Sequence, residues 1–204
     1  MSISKTNHRK TIGFKDVVTV VLFSVLTFIV SLVTAIPFSG SVYGMLFGGY
    51  ALMALICGPI YQIMINKAPR IGTQILFFSV KALYMLICGQ LLTAAVFFVG
   101  GLICEAICLG DGYRNMVKST AAYALHTTLY GFGSFFPAIF LTESYSARMT
   151  AAGASPESVA ATIGVYHQPL TMLGVAVVLI AFSIIGVLIG TKMFRKHFAP
   201  AGIA

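Results

Sequence analysis

The chain alternates long apolar runs with short polar turns. Six runs can be drawn, at roughly 16–36, 41–66, 71–88, 90–109, 116–141 and 169–191, each about long enough to cross a ~30 Å hydrocarbon core as a helix. Most of the turns are brief and carry residues that punctuate helices: Lys67, Ala68, Pro69 and Arg70; Gly89; and Gly110, Asp111 and Gly112. Within the second run, Gly58-Pro59 predicts a break or kink. The exception among the turns is 142–168, a long segment that holds Glu143, Tyr145, Arg148, Glu157, Tyr166 and His167. Inside it, Ser155, Pro156 and Glu157 read as an N-cap, a first-turn proline and a first-turn acid, which predicts a short helix from Pro156 toward Tyr166.

Charge then orients the runs. With the N-terminus placed inside, Lys5, Arg9, Lys10, Lys15, Lys67, Arg70, Arg114, Lys118, Lys192, Arg195 and Lys196 all fall on the cytoplasmic side, eleven of the thirteen Lys and Arg. Arg148 alone falls outside and Lys81 alone within a run, the bias expected of an even number of spans. The expectation is one all-α membrane domain over 1–204 with six transmembrane helices in the cell membrane and both termini cytoplasmic. On this reading 1–15 is a basic cytoplasmic N-terminus, 142–168 an extracellular loop and 192–204 a cytoplasmic tail.

Composition agrees: 58% hydrophobic and 9% charged residues leave too little charge to cover a water-facing surface. The net charge of +8, concentrated in short flanks, suits anionic lipid headgroups and not nucleic acid. The first run is longer than a signal-peptide core, so it reads as a retained helix. Cys57, Cys88, Cys104 and Cys108 lie inside runs and read as small hydrophobes, not as a disulfide framework or a metal site. No hydrolytic, redox or nucleotide-binding motif is present, and five acids leave little material for acid–base catalysis. No enzymatic activity, cofactor or resident metal is therefore expected.

Few polar groups lie inside the runs, and each requires an account. Lys81 leans toward the level of Glu105 on the neighbouring helix, so the two form a structural ion pair or Lys81 faces a cargo; Glu105 could also reach Arg114 or Lys118. His126, at mid-depth beside Tyr123, Thr127, Thr128 and Tyr130, is either bonded to a neighbouring helix or a ligand. Farther along, Phe135, Phe136 and Pro137 lead to Glu143 and Tyr145. Together with Arg148, Tyr166, His167 and Gln168 they line the outer mouth of a bundle, as a small-molecule pocket or as an interfacial aromatic belt. Thr27, Ser31 and Ala35, Gly44 and Gly48, and Gly186 and Gly190 mark faces for close helix contact, within the fold or with another subunit.

The basic N-terminus leading into Lys15-Asp16-Val17-Val18-Thr19, the Gly-rich second run ending before Lys67, the Gly110-Asp111-Gly112-Tyr113 turn and the Pro137…Glu143-Ser144-Tyr145…Gly153 region resemble the Trep-Strep group of integral membrane proteins. That group belongs with the substrate-binding S components of energy-coupling factor (ECF) transporters. The resemblance implies a six-helix subunit that captures a vitamin-like or other trace nutrient outside. It also implies a membrane T subunit and two ATPase subunits as partners. Where such proteins often carry Ala-x3-Ala on the first helix for T-subunit docking, this chain has Val21-x3-Val25. The alternative is a membrane scaffold or assembly protein that transports nothing and contacts a partner through 142–168.

Overall fold

A computed structural model describes residues 11–133 and 135–198. Lys5, Arg9 and Lys10 at the start and the last residues of the tail lie outside them. The described residues are helical and contain no strand, only a single bridge between Thr11 and Ile71. The helices are α1 (Phe14–Ala35), α2 (Val42–Gly44), α3 (Tyr50–Lys67), α4 (Thr73–Ile87), α5 (Leu91–Cys108), α6 (Met116–Gly133), α7 (Phe136–Phe140), α8 (Thr142–Ala151), α9 (Pro156–Tyr166) and α10 (Pro169–Met193). A π-helical turn, Met45–Gly49, joins α2 to α3 without a break. Four segments are long and apolar enough to cross a membrane: Phe14–Phe38, Val42–Lys67, Leu91–Cys108 and Pro169–Lys196. Helix α4 is apolar but shorter.

The bundle has two chemically distinct ends. Arg70 reaches Asp16 at 3.9 Å, Lys118 pairs with Asp111, and Ile12 donates its N–H to the Ile71 carbonyl, so the starts of α1 and α4 meet at a basic end. Lys118 holds the exposed Asp111 carboxyl below its ordinary value by direct hydrogen bonding, with Asn115 helping. The opposite, loop end carries α7, α8 and α9.

Two prolines inside apolar runs have opposite outcomes. In α3 the helix runs through Gly58-Pro59 without a break, and α10 packs there at backbone distance. A Cβ on Gly58 would lie 2.5 Å from the Gly186 carbonyl carbon, and one on Gly190 would lie 2.6 Å from the Pro59 Cα. The Gly186-x3-Gly190 face is thus used inside the fold. The run expected over 116–141 does break, after Gly133. Pro137 has no N–H to give the carbonyl four residues back; Thr93 Oγ1 of α5 donates to that Gly133 oxygen instead, at 2.9 Å. The remainder turns off as the short α7. The small and polar side of α1 also faces inward: Ser24, Thr27, Ser31 and Thr34 are buried while Leu22, Ile29 and Val33 are exposed. Val25, at the expected docking position, is on the exposed side.

Candidate binding site

A buried polar contact between ionisable side chains joins α4 to α6. Lys81 and His126 are 3% and 2% exposed, and Lys81 Nζ lies 2.8 Å from His126 Nε2. Aromatic rings enclose them. The Lys81 nitrogen sits 4.8 Å from the Phe77 ring centre and 5.0 Å from that of Tyr130, positions in which a ring face stabilises a cation. Phe77 and Phe78 pack on the imidazole at 4.6 and 4.3 Å. The other imidazole nitrogen, Nδ1, is buried and has no hydrogen-bond partner.

The expected Lys81–Glu105 ion pair is absent. Antiparallel packing places Glu105 opposite Gln74, whose backbone N–H donates to Glu105 Oε2 at 3.0 Å. Gln74 stands seven residues before Lys81 in α4, about 10 Å of axial rise, beyond the reach of a lysine side chain. The level of Lys81 in α5 is taken by Phe97, which stacks on Tyr130 at 5.6 Å. Glu105 instead accepts the Tyr113 hydroxyl at 2.8 Å. It thereby caps the start of α4 and ties down the turn before α6; neither Arg114 nor Lys118 pairs with it. Burial, followed by the Glu105 charge, pushes the Tyr113 phenol far above its ordinary value, so it stays a donor.

From Lys81 an unbroken series of rings leads to the loop end. Tyr130, bonded to Ser31 through oxygens 2.9 Å apart, meets Tyr50 edge-on at 6.3 Å. Tyr50 meets Phe135 at 5.7 Å, and Phe135 stacks on Tyr166 at 4.5 Å. Tyr166 and Tyr145 share a hydrogen bond, and burial is the main cause that raises both phenols above their ordinary value. Tyr145 belongs to the small apolar cluster with Ala138 and Val159 that holds α7, α8 and α9 together.

Of the remaining sequence candidates only Arg148 touches this series, at Tyr145. Glu143 is exposed in the first turn of α8, where an acid suits the helix N-terminus. His167 is exposed and its Nδ1 lies 2.9 Å from the Ile163 carbonyl of its own helix. Gln168 Oε1 accepts from Tyr43 at 3.2 Å and Thr171 at 3.0 Å. Phe136 packs on Phe140 at 5.7 Å. Arg148 lies over the Tyr145 ring at 5.8 Å and borders a shallow 130 Å³ cleft with Gly89, Gln90 and Ser144. Thus Lys81, His126, Tyr130, Phe135, Tyr145 and Tyr166 form one continuous group, and Glu143, Phe136, His167 and Gln168 do not join it. Sequence reasoning passed over Tyr50, Phe77 and Phe97. One signal existed for this side of the bundle: the Ser24, Thr27, Ser31, Thr34 stripe marks the face of α1 turned inward.

This arrangement defines an integral membrane helical bundle with a polar pair sealed beneath aromatic rings. The chain belongs to the Trep_Strep family, described as hypothetical bacterial integral membrane proteins, whose model matches residues 14–199. No curated protein and no solved structure matches it significantly.

Proposed function

We propose that this chain is the substrate-binding S component of an ECF-type importer in the cell membrane. It crosses six times, keeps both termini in the cytoplasm and holds the loop end outside, where it captures a vitamin-like or other trace nutrient. A membrane T subunit and two ATPase subunits supply the energy, since no nucleotide-binding motif occurs in the chain. The observation that carries the reading is the Lys81–His126 pair, buried at 2.8 Å and joined to the loop end by rings alone. Such a pair is costly to hold in a membrane, and functional sites are where that cost is met. Aromatic walls with a few polar groups are also the usual make-up of a small-molecule site.

The test is co-expression of the tagged chain with a T subunit and two ATPases, followed by affinity purification. Native mass spectrometry of the chain alone then looks for a bound small molecule. A stable complex and a bound molecule are expected. A chain that binds neither, yet captures another membrane protein through α8 and α9, would be a scaffold, and the transport reading would be wrong.

A further inference from the structure

The Lys81–His126 centre holds more hydrogen-bond donors than acceptors. A lysine ammonium has three N–H groups and no acceptor; one N–H meets His126 Nε2. With Lys81 as the ammonium donor, the imidazole proton sits on Nδ1, which is buried and has no partner. The flanking groups on the neighbouring helices do not reverse the imbalance. Phe77, Phe97 and Tyr130 offer ring faces. The Tyr130 hydroxyl is engaged with Ser31, and the Cys57 thiol is turned to the Thr27 carbonyl at 3.6 Å. No carboxylate reaches the site: Glu105 is held about 10 Å toward the basic end by Gln74 and Tyr113. A buried cation without a counter-ion and a buried N–H without an acceptor both lack the same thing, an anionic oxygen.

Resting on the reading of the chain as a capture subunit, we infer that its cargo is a small organic acid with a flat or apolar body. The acid group takes the free N–H groups of Lys81 and His126. The body replaces rings of the series above them, with Phe97 and Tyr50 as its walls. Phe135 and Tyr166 close the entrance, and cargo enters as they move aside.

The experiment uses the full chain in detergent with two isosteric probes, benzoate and benzamide, which differ in charge but hardly in shape. Thermal shifts are measured for the parent, Lys81→Met, Lys81→Arg and His126→Gln, each with its size-exclusion profile. Charge-assisted hydrogen bonds predict that benzoate acts at concentrations roughly tenfold or more below benzamide on the parent. Lys81→Arg keeps the preference, whereas Lys81→Met loses it. His126→Gln, which keeps a donor, retains part of it and guards against a Lys81→Met chain that fails to fold. Equal action of the two probes, no action of either, or a preference that survives Lys81→Met would overturn the anion assignment.

A second arm separates this from the functional reading. Small molecules released from the purified parent are identified by mass spectrometry. A neutral or cationic molecule leaves the capture role intact and sinks the acid. No molecule bound to the parent sinks capture itself.

Discussion

Lys81 Nζ and His126 Nε2 face each other at 2.8 Å across the junction of α4 and α6, each nearly inaccessible and each packed against Phe77. The two residues lie at similar depth, six positions before the end of α4 and seven before the end of α6, about 10 Å below the loop end. Helices α4 and α6 run in the same direction, with α5 returning between them, so two residues far apart in the chain stand at one level, and depth decided who meets whom.

A double-mutant cycle measures how far the two depend on each other. Lys81→Met leaves His126 Nε2 without its donor, and His126→Leu strips Lys81 of its only hydrogen-bond acceptor among the described residues. Each single change is expected to cost about 1–3 kcal/mol. The double variant should recover part of that, with a coupling of about 0.5–3 kcal/mol. Thermal unfolding in detergent supplies the three values; strict additivity would mean that the contact contributes nothing to stability.

The α3–α10 seam tolerates no side chain at Gly58 or Gly186. A Cβ on Gly186 would stand 2.7 Å from the Leu55 carbonyl oxygen, which is backbone and cannot swing away. Gly186→Ala is expected to destabilise by about 1–3 kcal/mol through overpacking, and Gly186→Leu to reduce the yield of folded protein sharply. Gly164, with nothing within 4 Å of its Cβ position, is the control, and Gly164→Ala should leave unfolding close to that of the parent.

Glu105 acts as a cap. Replacing it with Ala leaves the Tyr113 hydroxyl without its acceptor and the Gln74 N–H with only the longer 3.4 Å contact to the Tyr113 oxygen, at about 1–3 kcal/mol for an unsatisfied buried group. Glu105→Gln keeps an acceptor and should cost distinctly less. Tyr113→Phe should lie between, since Gln74 retains its bond. Should Glu105→Gln prove as damaging as Glu105→Ala, the negative charge itself would be needed, and a cation would have to be sought nearby.

Sidedness is open to direct chemical test. In a background without the four native cysteines, Ala152→Cys between α8 and α9 should react with an impermeant maleimide in intact cells, because Ala152 is exposed at the loop end. Asp111→Cys, exposed at the basic end, should react only after lysis. The opposite pattern would invert the chain and put the ring series on the wrong side for capture.

The helices themselves were legible in the amino-acid order, because local rules govern them. Unbroken apolar stretches leave backbone groups no partner but one another, and Gly, Pro and the Ser155-Pro156 cap mark where runs stop. Pro156–Tyr166 formed where those signals stood. Helix α8, the segment Thr142–Ala151, has no such cap: its N-cap position is Leu141, which makes no side-chain bond, and only the weaker charge signals of Glu143 in its first turn and Arg148 in its last marked it. Pro137 ended its helix while Pro59 did not, although the residue is the same. The difference lies in the neighbour, since Thr93 accommodates a break at one place and α10, packed at backbone distance, accompanies a continuous helix at the other. For the same reason Lys81 was visible as a buried charge but its partner was not. Composition and periodicity report which way a side chain faces along its own helix. Only the relative depth of α4, α5 and α6 in the folded bundle gave Lys81 to His126 and Glu105 to Tyr113.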